Sequence, residues 1–456
     1  MPRRNTIAVI DIGKTNIKTV VFDASAGREI DSRKTANASL HNGPYPHCNV
    51  DLIWNFICES FDELAKIHSI DAISITAHGA TGALVQSDGE LALPILDYEH
   101  NGPDETAEAY NAVRPSFAET GSPRLQIGLN LGAQVYWQQM RHGEGFAKAS
   151  ALLMYPQYWA YRLTGVMAGE VTSLGCHTDL WCPERDTYST MVDKLNWRGL
   201  MPPVKRAADV IGNITAAFAA KTGLAPDTPV VCGIHDSNAS LYPHLATRPA
   251  PFSVVSTGTW VISFAVGGLK VKLDPARDTL INVNALAQPV PSGRFMGGRE
   301  FEMLGAAISG TPTAEDRAAV LASGAMLFPA LIHSSGPFPR NDYHWANAEG
   351  LSSAQRRVAA SYYLALMTAT CLSLIGAQGP SIVEGPFASN VDFLDMLCAA
   401  TGRSVLASTG GSTGTALGAA MLAGAQFVPT LSEIKVSAPQ RQLNAYAQTW
   451  FGKTAG

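Results

Sequence analysis

Apolar residues in this chain occur in short continuous runs that polar, glycine-containing turns separate. The first run, Ile7–Ile10, predicts a buried strand, and the β-branched and aromatic segment Ile17–Asp23 predicts a second one. The polar stretch Asp11–Asn16 lies between them, so the pattern predicts a hairpin. A plain structural hairpin explains this pattern as well as a ligand-binding turn does.

The turn contains Gly13-Lys14-Thr15, the last three residues of the phosphate-binding P-loop, but the spacing excludes that motif. A P-loop needs a glycine five positions before its second glycine, and a helix follows it. Here that earlier position is Ala8, inside the apolar run, and strand-forming residues follow the turn. The three residues therefore belong to a hairpin.

Farther along the chain, apolar runs alternate with segments of helical periodicity, which is typical of an α/β protein. The predicted elements are a helix over Asp51–Ser69, a strand over Ala72–Ala77 that ends at His78-Gly79, an aromatic-rich helix over residues 151–165, and a short strand over Pro229–Gly233.

The opening pattern recurs about 245 residues later. Phe252–Val255 and Trp260–Ala265 predict strands on either side of a Ser-Thr-Gly-Thr turn, and Ser381–Gly385 predicts a strand that ends in glycine. Repetition at this distance indicates duplicated domains rather than a solenoid. Each turn offers backbone N–H groups and hydroxyls, so two such turns that face each other could bind the phosphates of one nucleotide.

Length and composition indicate an enzyme-sized protein of two domains. The chain has 456 residues, 46% of them hydrophobic, and the linker-like segment His244–Pro251 divides it into predicted domains 1–245 and 246–456. The net charge of -5, without a basic stripe, argues against a nucleic-acid partner. No apolar run approaches the length of a membrane span, and the first residues lack a secretory pattern, so we expect a cytoplasmic protein.

Seven cysteines are scattered along the chain, which favours free thiols in a reducing compartment. Cys232 and His235 have the spacing of half a zinc site, but no second pair at suitable spacing completes it. The sequence therefore disfavours a structural metal.

Motifs in the same order along nearly the whole chain resemble those of the FGGY family of carbohydrate kinases. The forms Gly-Lys-Thr-Asn and His-Asp-Ser are most similar to the L-rhamnulose and L-fuculose kinase branch. The resemblance implies an α/β fold of two actin-like (ribonuclease-H-like) domains with an ATP and sugar cleft between them. The motifs are DIGKT (11–15), ITAHGATGAL (75–84), YRLTG (161–165), GIHDS (233–237), STGTW (256–260), and the adenosine-side segments 383–408 and 414–424.

Two features depart from the family pattern. The adenosine-side segment has Gly385-Pro386-Phe387 where many relatives have three glycines, and proline fixes φ and lacks an N–H donor. The chain also has no Phe-Gly-Gly-Tyr element. We therefore expect an adenine pocket of different shape.

The resemblance implies phosphoryl transfer from ATP to a sugar hydroxyl, with Asp236 as the catalytic base. This carboxylate would accept the hydroxyl proton and align the oxygen with the phosphorus; its alternative role is to cap the helix that begins there. His78, Gly79, His235 and Asn238 are the implied sugar-contacting residues. His78 is expected to donate a hydrogen bond to the sugar, although a lone histidine is often only a satisfied polar residue.

The two turns and the C-terminal segment contribute the implied nucleotide site. Asp11 would bind Mg²⁺ through water, because a carboxylate near phosphates needs an intervening cation; the alternative is a structural Asx-turn. The turn residues also suit plain hairpins, and Gly414–Gly418 suits either an adenosine contact or a closely packed helix. The implied nucleotide contacts are Gly13, Lys14, Thr15, Asn16, Thr257, Gly258, Thr259, Gly385, Pro386, Phe387 and Asn390.

The leading hypothesis is a kinase for a 6-deoxyketose such as L-rhamnulose or L-fuculose. Trp137 and Trp159 could provide an apolar wall for the methyl group, although core packing is their more common role. The alternatives are a kinase for another ketose or a polyol such as xylulose, another actin-like ATP-using enzyme, and a catalytically silent sugar-responsive protein. A homodimer is the default expectation for the assembly.

Overall fold

The computed structural model describes residues 4–339, 342–408, 414–426, 431–433 and 440–454. Strands and helices alternate along these residues, as the sequence predicts. The strands are β1 (Thr6–Ile12), β2 (Asn16–Asp23), β3 (Arg28–Ala36), β4 (Ala72–Ala77), β5 (Gly82–Val85), β6 (Ala151–Met154), β7 (Gly169–Glu170), β8 (Trp181–Cys182), β9 (Thr187–Tyr188), β10 (Val204–Lys205), β11 (Val210–Asn213), β12 (Pro229–Val231), β13 (Ile234–His235), β14 (Phe252–Thr257), β15 (Val261–Val266), β16 (Thr279–Val283), β17 (Pro289–Phe295), β18 (Met326–Phe328), β19 (His344–Ala346), β20 (Ser381–Glu384), β21 (Val405–Ser408) and β22 (Leu431–Glu433).

The helices differ widely in length, and none of those described is long and apolar enough to cross a membrane. They are α1 (Val50–Ala65), α2 (Ala107–Val113), α3 (Phe117–Thr120), α4 (Leu131–Arg141), α5 (Gly143–Phe146), α6 (Tyr155–Thr164), α7 (Val171–Leu174), α8 (Thr190–Lys194), α9 (Ala216–Thr222), α10 (Asp236–Thr247), α11 (Gly297–Leu304), α12 (Ala314–Ser323), α13 (Ser353–Leu374), α14 (Val391–Thr401), α15 (Gly414–Leu422) and α16 (Gln440–Thr454).

The chain forms two compact units, each with its own sheet and core. Two later segments of the chain return to the first unit. The first unit contains the described residues of Met1–Thr247, Ile281–Pro289 and Gly411–Val428, and the second contains those of Arg248–Leu280, Val290–Gly410 and Pro429–Gly456.

The main sheet of the first unit has the strand order β11-β12-β4-β1-β2-β3, with β13 also paired to β4. β1 and β2 form the predicted hairpin, with Thr6 opposite Asp23. β1 also pairs in parallel with β4, with Ile7 opposite Ala72. The carboxyl ends of β1, β4 and β13 therefore lie side by side at one edge of this sheet.

The run Ile7–Ile10 is apolar throughout because both faces of β1 are buried. Ala8 and Ile10 belong to a core that includes α1 and α6 residues, whereas Ile7 and Val9 belong to a second core on the opposite face. Side chains alternate between the faces of a strand, so a strand covered on both faces needs apolar residues at every position.

The sheet of the second unit has the strand order β16-β17-β15-β14-β20-β21-β22. β14 pairs antiparallel with β15 and parallel with β20. These pairings repeat those of β1 with β2 and with β4, so the internal repetition predicted from the sequence is confirmed at the level of strand pairing.

Some element boundaries differ from the predictions. β1 continues through Asp11 and Ile12, and α1 ends at Ala65 rather than Ser69. Residues 151–154 form β6, not the start of a helix, because they pair antiparallel with β5 and are fully buried. Pro156 then occupies the first turn of α6, where its missing N–H leaves no helix bond unmade.

Candidate active site

The turn between β1 and β2 is short and faces solvent in part. The N–H of Gly13 donates to the carbonyl of Asn16 at 2.9 Å, which closes the turn. Thr15 and Asn16 are exposed, and their side chains hydrogen-bond to each other at 3.0 Å. The turn thus offers the Thr15 hydroxyl and the Asn16 amide, while the Gly13 N–H is already used.

Lys14 makes an ion pair that the sequence did not predict. Its ammonium contacts the carboxylate of Asp97, lies 3.5 Å from Glu99 and sits 4.9 Å from the ring centre of Tyr98. Burial raises the pKa of Asp97, but hydrogen bonds from Lys14 and Ser39 outweigh it and hold that pKa below its usual value. Lys14 therefore anchors the segment after β5, and a phosphate contact would have to compete with Asp97.

Asp11 lies near the end of β1, on the strand pair that carries Lys18 opposite to it. Its pKa is raised to about 7, first by burial and then by the negative charge of Asp236, while Lys18 acts in the opposite direction. Lys18 itself donates to both oxygens of Glu29 at 2.8 Å. The two carboxylates therefore repel each other, and Lys18, the cation opposite Asp11, is shared with Glu29.

The donor set at this point suits a hard cation. Carboxylate oxygens are ligands that Mg²⁺ prefers, and Mg²⁺ usually takes one or two of them and completes its shell with water and phosphate. Among the described residues, no group of three or more His, Cys, Asp or Glu side chains is arranged to hold a metal ion. Asp11 therefore fits a partly hydrated Mg²⁺ and not a metal enclosed by protein ligands.

Asp236 begins α10, directly after β13, which pairs in parallel with the end of β4. Its Oδ1 accepts from the N–H and hydroxyl of Ser237 at 2.6 and 3.2 Å. A helix N-cap would instead accept from the second or third residue of the helix. Among the described residues nothing donates to Oδ2, so this oxygen is available as a proton acceptor.

His235 is a buried cation beside Asp236. Its Nε2 lies 3.2 Å from Asp236 Oδ1 and 3.7 Å from Cys176 Sγ. Burial alone lowers the pKa of His235, but the negative charges of Cys176 and Asp236 raise it to about 9. Burial raises the pKa of Cys176, but His177 and His235 bring it down to about 5. The geometry thus favours an imidazolium that faces two acids.

The amide of Asn238 lies against the other ring nitrogen of His235. Asn238 Nδ2 is 3.2 Å from His235 Nδ1, and Asn238 Oδ1 is buried without a partner among the described residues. An imidazolium donates from both nitrogens, so it requires the oxygen of the amide at this place. Exchanging the two ends of the amide meets that requirement, and the side chain then fixes the orientation of His235.

His78 follows β4 and is buried against aromatic rings. Its ring centre lies 5.3 Å from that of Tyr98 and 4.9 Å from that of Tyr155. Burial lowers its pKa, so the ring is neutral at pH 7. Nδ1 is 3.0 Å from the carbonyl of Gly79 and must carry the hydrogen, which leaves Nε2 as an acceptor. Donation from His78 to a sugar hydroxyl stays a prediction; with this tautomer Nε2 would accept instead.

Gly79 permits the close approach of these two strand ends. A Cβ at this position would lie 2.7 Å from Nε2 of His235 and 3.6 Å from Sγ of Cys176. The structure thus brings His78, Gly79, His235 and Asp236 together in the first unit, at the carboxyl ends of β4 and β13.

Glu170 and Thr172, which the sequence analysis did not single out, support the residue that precedes Asp236. The Thr172 hydroxyl donates to Glu170 Oε2 at 2.6 Å and accepts from the N–H of His235 at 3.1 Å. Glu170 is fully buried and caps α7. Burial raises its pKa to about 7, although bonds from Thr172 and Ser173 oppose this. This network fixes the backbone from which Asp236 starts.

The turn between β14 and β15 in the second unit uses part of its polar groups internally. The hydroxyl of Thr257 donates to the carbonyl of Glu384 and accepts from the N–H of Phe387 at 3.1 Å. Thr257 is buried, whereas Gly258 and Thr259 are exposed. Only the last two residues of this turn present themselves for a ligand, so the predicted phosphate contact through the Thr257 hydroxyl is not supported by the geometry.

The residues predicted to contact adenosine also divide into exposed residues and residues whose side chains are engaged within the protein. Gly385 and Pro386 are exposed, and Gly385 has a φ of 81°. Phe387 packs into the core, 5.2 Å from the ring of Phe393. Asn390 caps α14 by accepting from the N–H of Phe393. The side chains of Phe387 and Asn390 thus have structural roles.

The start of α11, which the sequence analysis did not consider, lies against the second turn. The N–H of Arg299 donates to the carbonyl of Thr259 at 3.3 Å. Gly298 approaches the carbonyl of Gly258 so closely that a Cβ would lie 1.9 Å from its oxygen. The paired glycines in the segment Met296–Arg299 are the signal in the sequence that could have indicated this contact.

Other candidates lie in packed surroundings. Trp159 lies in the main core of the first unit, and Trp137 packs with Tyr45 and Leu96. α15, which carries Gly414–Gly418, packs on α10. Core packing thus accounts for both tryptophans, and close helix packing accounts for the small residues of α15; an adenosine contact there stays a prediction, as does the binding of one nucleotide by both turns.

Comparisons with known proteins identify the family. The family description "FGGY family of carbohydrate kinases, N-terminal domain" matches residues 6–242, and "Carbohydrate kinase FGGY, C-terminal domain" matches residues 249–430. The chain belongs to the FGGY family of carbohydrate kinases. The resemblance found in the sequence motifs is confirmed.

Curated relatives of this FGGY protein carry different names. The L-fuculokinase of Escherichia coli K12 is 28% identical over 275 residues, which are 57% of this chain and 56% of that protein. The autoinducer-2 kinase of Enterobacter sp. strain 638 is 21% identical over 293 residues, 61% of this chain and 54% of that protein. The chain thus spans little more than half the length of the curated relatives that it matches.

Solved structures match the FGGY protein over its whole length. A carbohydrate kinase from Novosphingobium aromaticivorans is 34% identical, with a TM-score of 0.91 and 99% of each chain covered. A xylulose kinase from Lactobacillus acidophilus is 18% identical, with a TM-score of 0.82, 99% of this chain and 97% of that chain covered. The second likeness concerns the fold alone. The predicted α/β fold with two domains is confirmed.

Proposed function

We propose that the protein is an ATP-dependent kinase that phosphorylates a hydroxyl of a ketose, with Asp236 as the catalytic base. The observation that carries this proposal is the oxygen Oδ2 of Asp236, which accepts no bond from the described residues while Oδ1 is held by Ser237 and His235. Membership of the FGGY family supports the reaction class.

The neighbouring residues of the first unit suit the binding and orientation of a sugar. Asp236 accepts the proton of the attacking hydroxyl at Oδ2, and orientation of that oxygen is the larger part of its contribution. His235 holds Oδ1 in place through Nε2. His78 offers Nε2 as an acceptor to a second hydroxyl, because its Nδ1 is used by Gly79.

Asp11 is the proposed point of contact for Mg²⁺. The metal, when bound with ATP, neutralises charge on the phosphates during transfer. Asp11 would hold the metal through water, and the cation would offset the negative charge of Asp236, which adds to burial in raising the pKa of Asp11 to about 7. The exposed residues Thr15 and Asn16 of the first turn are the proposed phosphate contacts in that unit.

We further propose a 6-deoxyketose such as L-rhamnulose or L-fuculose as the substrate. The L-fuculokinase name among the relatives supports this choice. The partly exposed ring of Tyr98 next to His78 provides apolar surface beside the hydrogen-bonding groups. Such surface suits the C–H face and methyl group of a deoxy sugar.

A coupled ADP-release assay over a panel of ketoses tests both parts of the proposal. The ketoses L-fuculose, L-rhamnulose and D-xylulose would be compared at equal concentration, together with the polyol glycerol. We expect the highest kcat/KM with a 6-deoxyketose. Turnover only with D-xylulose would contradict the substrate while leaving the reaction in place, and sugar binding without ADP release from any ketose would contradict the kinase.

A further inference from the structure

A cavity of about 460 Å³ lies within the second unit, among the ends of α13 and α14, the segment after β15, and α16. Its volume falls in the range of small-molecule sites. Most of its lining is apolar, with Leu269, Val271, Leu372 and Phe451 as the largest side chains. Leu269 and Val271 are also exposed to solvent. Neighbouring exposed apolar side chains of this size often mark a binding surface.

Arg403 is the one ionisable residue among those that line this cavity. Its Nη1 is buried and has no hydrogen-bond partner among the described residues. Partial burial lowers the pKa of its guanidinium, and no acid among the described residues counteracts this. A buried hydrogen-bond donor without a partner is costly, and such groups in proteins usually bind a counter-ion or a ligand.

Capping of α14 does not explain the position of Arg403. The helix ends at Thr401 and closes through the N–H of Gly402, which donates to the carbonyl of Cys398 at 2.9 Å. At the end of this helix Arg403 contributes only its backbone N–H, which donates to the Thr401 hydroxyl at 3.3 Å. The guanidinium is therefore left for another acceptor.

We propose that this cavity binds a small organic acid, with its carboxylate on Arg403 and its hydrocarbon body against Leu269, Val271 and Phe451. The planar guanidinium matches a carboxylate with two parallel hydrogen bonds. A phosphate would call for additional cations or a nest of backbone N–H groups. The lining offers one cation and is otherwise largely apolar, which favours a singly charged ligand with an apolar body.

A series of straight-chain carboxylates from acetate to octanoate tests the proposal. Their binding to the full chain would be measured by isothermal titration calorimetry without nucleotide, at constant ionic strength. Each methylene buried should tighten binding by about fourfold until the cavity is full. The alcohols of equal length should bind at least roughly tenfold more weakly. Affinity that does not depend on chain length, or alcohols that equal the acids, would overturn the proposal.

Two variants separate a ligand site from a structural arginine. Arg403→Met should weaken octanoate binding roughly ten- to a hundredfold, whereas Arg441→Met on the exposed surface of α16 should leave it unchanged. Without ligand, the Tm of Arg403→Met should equal or exceed that of the wild type, because a buried donor without a partner is removed. A Tm lower by several degrees would assign Arg403 a structural role instead.

A third variant tests the apolar wall without risk to the fold. Leu269 is exposed, so Leu269→Gln should leave the Tm of the free protein unchanged. It should weaken octanoate severalfold and acetate hardly at all, because only the longer acid reaches this wall. Equal effects on both acids would place the hydrocarbon body elsewhere and contradict the proposal. The proposal does not depend on kinase activity, so it stands or falls separately from it.

Discussion

The hairpins β1-β2 and β14-β15 have the same pairings but differ in the chemistry of their ends. The last paired residues are Ile12 with Ile17 in the first unit and Thr257 with Val261 in the second. The next residue is glycine in each, and its N–H closes the turn on the opposite strand. In this register Asp11 corresponds to Ser256, so a carboxylate in one unit stands where the other has a hydroxyl.

The difference extends to the neighbouring strand ends. In the first unit, β4 and β13 end at His78, His235 and Asp236. Each of these side chains carries a charge or an acceptor atom that is available to a ligand. In the second unit, β20 ends at Glu384 and Gly385, and the carbonyl of Glu384 accepts from Thr257. The same backbone arrangement therefore carries groups that suit proton transfer in one unit, and small or internally bonded groups that suit close backbone approach in the other.

The largest expected effect comes from removing the proposed base of the first unit, Asp236. Asp236→Asn keeps the shape of the side chain but cannot accept the hydroxyl proton, so kcat should fall about 10³-fold. KM for the sugar and the Tm should change little. Steady-state kinetics with the best ketose and thermal unfolding measure these quantities. Asp227→Asn, at an exposed position, is the control and should retain wild-type turnover.

A near-normal kcat in Asp236→Asn would contradict the proposal that the strand ends of the first unit carry the groups for proton transfer. Asp236 would then be a structural residue of the β13-α10 junction, and its contacts with Ser237 and His235 would be its whole role.

A smaller effect is expected when the backbone approach in the second unit is blocked. A Cβ at Gly258 would meet only the carbonyl of Trp260, at 3.9 Å, so the fold tolerates Gly258→Val. The exposed valine should obstruct a phosphate, and KM for ATP should rise roughly tenfold or more while kcat at saturation falls less. ADP-release kinetics over a range of ATP concentrations measure this.

Gly452→Val on the exposed surface of α16, where a Cβ would meet nothing within 4 Å, is the matched control. An ATP KM equal to the wild type in Gly258→Val would place the phosphates away from the second turn, and the role assigned to that hairpin would be wrong.

The support beneath Asp236 should contribute less than Asp236 itself. Thr172→Val removes the hydroxyl that accepts from the N–H of His235, so kcat should fall roughly tenfold. Thr172→Ser retains that hydroxyl and should restore most of the rate. Measuring kcat and KM separately for both variants tests this. If valine and serine lower the Tm equally and leave kcat unchanged, Thr172 contributes packing alone.

The sequence predicted those features that local patterns determine. Both hairpins, their repetition and the end of β4 follow from runs of apolar residues and the turns after them. The pairing of Lys14 with Asp97 and the support of His235 by Thr172 were missed because these contacts join residues 83 and 63 positions apart. No local pattern records which hydroxyl or ammonium a distant segment will engage.

The direction in which a side chain points could not be predicted from the sequence either. Thr257, Gly258 and Thr259 form one polar motif, yet the first is buried and the other two are exposed. The direction follows from pairing with β20, which brings the carbonyl of Glu384 to the Thr257 hydroxyl. His78 was identified as a candidate, but its role as an acceptor depends on the carbonyl of Gly79.

The smallest expected effect concerns a buried carboxylate of the second unit. Glu300 on α11 is buried, and burial raises its pKa to about 7, although Tyr363 and the N–H of Ile332 donate to it. Between the unfolded pKa of about 4.5 and the folded value of about 7, the folded protein binds more protons than the unfolded one. The stability that the protonated group contributes is thus full below the unfolded pKa and is lost as the pH rises through 7.

Glu300→Gln removes this dependence because the amide does not titrate. The free energy of unfolding of the variant, relative to wild type, should increase from pH 5 to pH 8 by about 1–3 kcal/mol. Glu302→Gln, on the exposed side of the same helix, should show no such trend. Urea unfolding at several pH values measures both. A pH-independent difference would mean that Glu300 is ionised throughout. A loss of turnover in Glu300→Gln, with stability intact, would mean that the second unit also contributes a carboxylate to the reaction, a role that the comparison assigns to the first unit.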